Sequence, residues 1–322
     1  MSGERPNLGG DRGFQSIREG TYRLIFLVFA TLTVLTTVAI VLTLLVDALG
    51  FFSGYSPVAF LTGTDWSPNL KPVNFGVLPL VFGTLIVTVT AGFIAIPIGT
   101  LTAIYLSEYA THRTREVLKP LLEVLAGIPT VVYGFFALVY VTPALRVVFP
   151  NISTFNVLSA SIMVGIMTIP MVSSISEDAM SAVPDSLRQA GYGLGATKYS
   201  VVTDVVVPAS ISGIVASYIL AISRAIGETM IVTVAMGMQA KLPAVRTVPL
   251  LGVGLPYVHP GDVFLESGQT MTAAMVQIAS SDIAGGTLAY DSLFAIGLTL
   301  FAITLAMNVV SNFVTERYRE EY

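Results

Sequence analysis

Two ionisable residues, Arg224 and Glu228, stand four positions apart in the otherwise uncharged stretch Ser210–Gly237. On one continuous helix that spacing puts both on the same face. Arg224 would then lie about 21 Å past Ser210, at about 1.5 Å rise per residue. Such a depth is near the middle of a membrane, where an ionised side chain costs roughly 2.5–3.5 kcal/mol. A guanidinium offers a rigid fork of donors to a tetrahedral oxyanion and keeps its charge at any working pH. The chemistry this suggests is anion passage, with Glu228 orienting the arginine or weakening its grip so that the anion leaves. The competing reading is a structural ion pair that fixes helix packing.

A second cluster lies in the polar stretch 176–209, around Arg188-Gln189-Ala190-Gly191 and Gly195, closing at Val205-Val206-Val207-Pro208. Asp185 and Ser186 are helix-capping residues for a helix over Leu187–Leu194. Gly195 suits a left-handed stop, and Thr197 suits the cap of a second helix running toward Val207. Two short helices about a glycine joint make a compact knob whose small residues let another protein approach closely. An ordinary glycine-rich loop is the alternative.

These residues need elements to carry them, and the composition says which. Of 322 residues, 54% are apolar and 11% charged, against roughly 25% charged in an average soluble protein. Mean hydropathy is +0.78. So few charges cannot solvate the surface of a soluble fold this large, and the chain reads as a polytopic membrane protein. Six segments reach the roughly 20 apolar residues a spanning helix needs. They are Leu24–Val46, Leu78–Leu106, Leu121–Leu145, Val157–Ile175, Ser210–Gly237 and Ser292–Val314. All six read as helices, because lipid offers backbone groups no partner outside the segment. Leu24–Val46 shows none of the alternation of a membrane β-barrel strand. It is also longer than a signal-peptide core and is followed by no small-residue cleavage pattern.

Lysine and arginine in the loops orient the bundle. Eleven fall in the N-terminal tail, the stretches 107–120 and 176–209, and the C-terminal tail; only Lys71, Arg146, Lys241 and Arg246 fall on the other side. Both termini are therefore expected in the cytoplasm of a multi-pass cell-membrane protein. The expected organisation is a cytoplasmic tail 1–23, a first transmembrane helix 24–46 and an external loop 47–77. A five-helix core 78–315 follows, including the loops 176–209 (cytoplasmic) and 238–291 (external), then a tail 316–322.

Several chemistries are excluded. There is no cysteine, so thiol catalysis, disulfides and iron–sulfur clusters are out. His112 and His259 lie too far apart for an imidazole metal site, and no nucleophile–base cluster suggests a catalytic residue. The four lysines follow Leu70, Leu118, Thr197 and Ala240, so no glycine–lysine pair of a P-loop exists and this chain carries no ATP site. Net charge −4 leaves no nucleic-acid footprint. Glu123 reads as an interfacial residue, Glu108 with His112 as a polar pair, and Trp66 as an outer interfacial anchor. Met271–Ile278 reads as a short interfacial helix in the external loop.

The knob is similar to the E-A-A-x3-G-x9-I-x-L-P loop of permeases in binding-protein-dependent ABC importers. Gln189, Ala190, Gly191, Gly195, Val205, Val207 and Pro208 occupy that spacing, with Gln189 in place of glutamate and Gly191 in place of the second alanine. In that family the loop is the coupling helix seated on the ATPase subunit. The string Ser223-Arg224-Ala225-Ile226-Gly227-Glu228-Thr229-Met230 further resembles the R-A-x-G-E-T stretch of phosphate-importer permeases of the PstC type. Phe75–Pro79, Phe82-Gly83-Thr84, Leu106–Ala110, Leu125–Pro129, Val132-Tyr133-Gly134 and Gln269–Ala273 resemble the same subunit in order. The resemblance implies a type I ABC importer permease fold and a heterodimer with a PstA-type permease. It also implies two ATPase subunits that bind ATP and magnesium, and an extracytoplasmic phosphate-binding protein. By the same resemblance Arg224 and Glu228 lie on the phosphate path, and Gln189, Ala190, Gly191, Gly195 and Pro208 serve ATPase coupling. The rivals are a permease for sulfate or molybdate, which Arg224 would serve equally, and an ion-coupled secondary carrier. A carrier of that kind shows paired broken helices in inverted repeats.

Overall fold

Long apolar stretches with few breakers become long helices, and the computed structural model shows them over its described residues, 12–68, 72–250 and 253–317. Helix α1 (Arg12–Gly54) has 43 residues, about 65 Å at the usual rise. It begins well before Leu24 because no proline or capping break separates the basic tail from the apolar stretch. The expected tail 1–23 is thus helical from Arg12 onward; residues 1–11, Lys71 and 318–322 lie outside the described residues.

After the short α2 (Pro57–Thr62), two-residue strands β1 (Trp66–Ser67) and β2 (Asn74–Phe75) pair antiparallel. They close an aromatic cluster of Phe51, Phe60, Trp66 and Phe75. Trp66 is 7% exposed, so it is a core residue of this cap and not the expected interfacial anchor.

Helix α3 (Leu78–Ile104) runs past Pro97 and ends in a π-turn, Tyr105–Tyr109. The amphipathic α4 (His112–Gly127) follows and has no buried residue. Ile128 and Pro129 then stop it, since a residue before proline is pushed out of helical geometry. Three pieces continue the chain: α5 (Thr130–Phe136), a π-turn over Ala137–Val141, and α6 (Thr142–Val148). The third apolar segment therefore corresponds to Thr130–Val148, not to Leu121–Leu145, and Pro129 stands just before its first residue.

Helix α7 (Val157–Ser181) carries Pro170 and extends beyond Ile175. The knob follows as α8 (Asp185–Gly193), α9 (Lys198–Val201), a π-turn over Val202–Val206, and α10 (Val207–Ala209). Helices α11 (Ile211–Ile226) and α12 (Met230–Ala235) come next, separated by a break. Strands β3 (Val245–Leu250) and β4 (Val253–Val258) form a hairpin. Then come α13 (Pro260–Phe264), α14 (Met271–Ser280) and α15 (Leu288–Arg317). Helix α14 buries Met271, Thr272, Ala273, Ala274 and Ile278, so it is an internal element and not an interfacial one.

Among the described residues, five helices are long and apolar enough to cross a membrane. A sixth crossing arises if the stretch 198–209 and α11, bent by 69°, count as one. The centre is α3 against α7, with α11 packed across both. Two polar contacts pin α11: the Thr100 and Tyr218 hydroxyls 2.7 Å apart, and those of Ser176 and Ser217 2.8 Å apart. Hydrogen bonds of this kind hold helices together where lipid removes the hydrophobic drive.

Candidate functional site

The stretch expected to form one helix over Ser210–Gly237 is broken at Gly227–Thr229. Helix α11 stops at Ile226, and the break leaves backbone groups that must find partners. Glu228 supplies them: its Oε1 accepts from the N–H groups of Met230 at 3.0 Å and Ile231 at 3.1 Å. The Thr272 hydroxyl in turn donates to the Glu228 carbonyl at 2.7 Å. The carboxylate is therefore a buried cap at the start of α12, and the Glu228 backbone is tied to α14. Arg224 sits in the last turn of α11 and is exposed. It has no ion pair or hydrogen bond among the described residues. The shared helix face and the Arg224–Glu228 pair are thus both corrected, because α11 stops at Ile226 and the Glu228 carboxylate is taken up by the N–H groups of Met230 and Ile231.

Arg224 faces a cavity of about 460 Å³ whose wall includes Lys119, Glu123, Met167, Pro170, Glu177 and Arg224. Helices α4, α7 and α11 build it. Glu123 and Lys119 lie one turn apart on α4 and point into the same space. Glu177, with its side chain 4% exposed, lies 2.7 Å from Lys119 Nζ and 3.5 Å from Arg115 Nη2; Asp178 lies 3.3 Å from Lys119. The hydrogen bond that Lys119 donates to Glu177 leads the causes that raise the Lys119 pKa above the ordinary lysine value; burial opposes it. A cation with a raised pKa contributes its stability below the unfolded value and loses it only as pH climbs through the raised one. Lys119 is therefore charged throughout the physiological range. Arg224 is thus the cation of this wall without a carboxylate partner among the described residues, whereas Lys119 is already neutralised.

Lys119, Glu123 and Glu177 were not among the expected site residues. The one trace in the sequence is the four-residue spacing of Lys119 and Glu123. Glu177 was missed because α7 continues past Ile175, where it was expected to end, to Ser181. The expected polar pair of Glu108 with His112 does not form: Glu108 meets Arg188 at 3.1 Å and His112 meets Glu116 at 3.4 Å. Among the described residues no group of three or more histidines and carboxylates is arranged to hold a metal.

The knob has the anticipated plan with one change. Helix α8 starts at Asp185 after Pro184, and no side chain caps it; the Asp185 carboxylate instead lies 3.2 Å from Arg188. Gly195 turns the chain at φ +81°, a geometry that costs side-chain-bearing residues roughly 1–2 kcal/mol. The Thr197 hydroxyl caps α9 by accepting from Ser200 N–H. Gly191 lies against Val201, where a Cβ would come within 3.0 Å of a methyl carbon, so the departure from alanine suits the tight α8–α9 contact. Gln189, Ala190, Gly195 and Pro208 are all exposed. So are Leu194 at 90% and Tyr199 at 69%, which gives the knob an apolar tip.

The bundle thus combines a charged cavity, a broken helix beside it and a knob with an exposed apolar tip. The chain belongs to the family of binding-protein-dependent transport system inner membrane components, whose sequence pattern matches residues 95–320. It is 36% identical over 223 residues to a probable ABC transporter permease protein, YqgH, of Bacillus subtilis, covering 69% of this chain and 72% of that one. It is 28% identical to the phosphate transport system permease protein PstC of Mesorhizobium japonicum, over 94% of each chain. Among solved structures, a bacterial alginate ABC transporter in complex with a pentasaccharide-bound periplasmic protein matches with a TM-score of 0.61. That match covers 95% of this chain and 98% of that one, at 12% identity. The fold is that of type I ABC importer permeases, and the chain is a membrane permease component rather than a catalytic subunit.

Proposed function

We propose that this chain forms the translocation path of an ATP-driven inorganic phosphate importer and works by alternating access. The observation that carries the reading is the free guanidinium of Arg224 in a cavity walled by α4, α7 and α11. An unpaired arginine in such a place is a docking point for an oxyanion. The phosphate assignment is supported by the PstC proteins to which the chain is similar. In this proposal Arg224 lies on the path, and Glu228 contributes by holding the break that ends α11 beside the cavity.

Gln189, Ala190, Gly191, Gly195 and Pro208 would seat the knob on an ATPase subunit. The apolar tip at Leu194 and Tyr199 supports that role, since exposed apolar residues clustered on a rigid turn mark a protein contact. The assembly we infer contains a PstA-type permease as the second half of the path, two ATPase subunits that hold ATP and magnesium, and an external phosphate-binding protein. It would lie in the cell membrane with both termini cytoplasmic. ATP-driven closure of the ATPase pair would move the knobs, and the helices joined to them would alternate the opening of the path.

Labelled phosphate uptake at low external phosphate, in cells with and without this chain and with excess sulfate, tests the reading. Uptake that requires the chain and is indifferent to sulfate is the expected result. Uptake of sulfate or molybdate that depends on the chain, with phosphate uptake unchanged, would replace phosphate by that dianion and leave the permease assignment standing.

A further inference from the structure

A chain of charged contacts runs from the knob to the cavity, and neither the anion path nor the docking surface accounts for it. It starts at Arg188 on α8, next to Gln189. The Arg188 guanidinium lies 3.1 Å from the Glu108 carboxylate, whose side chain is 7% exposed. It also donates to the carbonyls of Met180, at 2.8 Å near the end of α7, and of Val183, just beyond that helix. Glu108 belongs to the π-turn that ends α3, and the Ser107 hydroxyl donates to the same Glu108 oxygen at 3.1 Å.

Arg115 on α4 grips this π-turn from the other side. Its Nε and Nη2 donate to the Leu106 carbonyl at 3.1 and 2.7 Å, and Nη2 also donates to the Ser107 carbonyl at 3.1 Å. Helix ends leave carbonyls without intrahelical donors, and the planar fork of arginine fills two of them at once. The same Nη2 lies 3.5 Å from Glu177, which holds Lys119 at 2.7 Å in the cavity wall. The π-turn joins the two halves of the series. It carries Glu108, which pairs with Arg188. Its Leu106 and Ser107 carbonyls accept from Arg115, which reaches Glu177 in the wall of the cavity that Arg224 faces.

Buried ion pairs are costly to break because one partner is left charged and desolvated. Movement of Arg188 must therefore carry Glu108 with it. The π-turn is the element able to respond, because relaxing from π to α geometry shifts the register by one residue and re-aims the side chains beyond it. A coupled element with two arrangements is what transmission between distant sites requires.

We propose that Glu108, Arg115 and Glu177 are positioning residues that transmit movement of the α8 knob, through the Tyr105–Tyr109 π-turn, to the charged wall of the cavity. The inference rests on the reading of α8 as the ATPase-facing element. Knob position then sets how firmly Glu177 holds Lys119, and so the charge that an anion at Arg224 meets.

The test uses the full complex in proteoliposomes with its ATPase and a phosphate-loaded binding protein, reading phosphate moved per ATP hydrolysed. Glu108→Gln, Arg115→Gln and the double variant are compared with the wild type. Each single variant is expected to copurify with the ATPase, to keep unstimulated hydrolysis, and to lose about tenfold in phosphate moved per ATP, a size typical of coupling between sites. The double variant is expected to be no worse than the worse single one, since both interrupt one series. Wild-type transport per ATP in either single variant, or a double loss equal to the product of the two, would overturn the relay. If Arg115→Gln fails to assemble, Arg115→Lys serves instead: it keeps a charge toward Glu177 but lacks the fork on the π-turn. A wild-type complex that moves sulfate and not phosphate would sink the phosphate reading alone, and the ratio would then be read with sulfate.

Discussion

Arg224 and Glu228 share a motif of eight residues but occupy different physical situations. The arginine is exposed to a cavity, while the glutamate is 5% exposed and accepts two backbone hydrogen bonds. Their substitutions are therefore expected to separate. Arg224→Ala should abolish anion uptake and leave complex yield and thermal midpoint unchanged, and Arg224→Lys should retain weak uptake because a point charge cannot reproduce the bidentate fork. Glu228→Ala should lower the thermal midpoint as well, since hydrogen bonds to a charged group contribute about 1.5–3 kcal/mol each. Equal loss of stability in both alanine variants, measured on the purified complex, would mean that Arg224 is structural.

At the scale of elements, the knob depends on one backbone conformation. Gly195 at φ +81° reverses the chain between α8 and α9, and nothing lies within 4 Å of where its Cβ would be. The restriction is therefore one of backbone geometry and not of space. Gly195→Val should deform the turn at a cost of roughly 1–2 kcal/mol, too little to unfold a bundle whose core is α3, α7 and α11. Pull-down of the ATPase should fall sharply while the permease stays folded by circular dichroism. An unaltered pull-down with Gly195→Val would remove the knob from the ATPase contact. The broken α11–α12 pair shows the complementary case, a helix that stops where side chains from elsewhere replace its missing bonds.

On the scale of the whole molecule, the proposed importer would draw its energy from an attached ATPase. In proteoliposomes of the complex, uptake should need ATP on the ATPase side and persist when ionophores collapse the proton and sodium gradients. Uptake driven by a gradient without ATP would make the chain a secondary carrier. In the proposed path the mixed wall would also bear on release, because Glu123 in the same cavity would keep the attraction of Arg224 for an anion from becoming a trap.

Class, helical architecture and family were legible in the sequence because they rest on local properties. Apolar runs long enough to span lipid must be helices, a missing glycine–lysine pair is missing wherever the chain folds, and Gly195 needs only its neighbours to make its turn. What required the tertiary structure was every feature set by residues far apart in sequence. The break at Gly227–Thr229 is stabilised by Thr272, forty-four positions from Glu228, and no periodicity within Ser210–Gly237 contains that partner. The third crossing moved to Thr130–Val148 because α4, whose apolar residues had been counted with it, ends at Ile128-Pro129. Lys119 meets Glu177 across fifty-eight positions, and only their shared wall beside Arg224 makes them part of the site. Hydropathy and spacing act along the chain and determine which segments enter the membrane. Charge pairing acts through space, so which ionisable groups are neutralised and which are left unpaired was decided by the packing of α3, α4, α7 and α11.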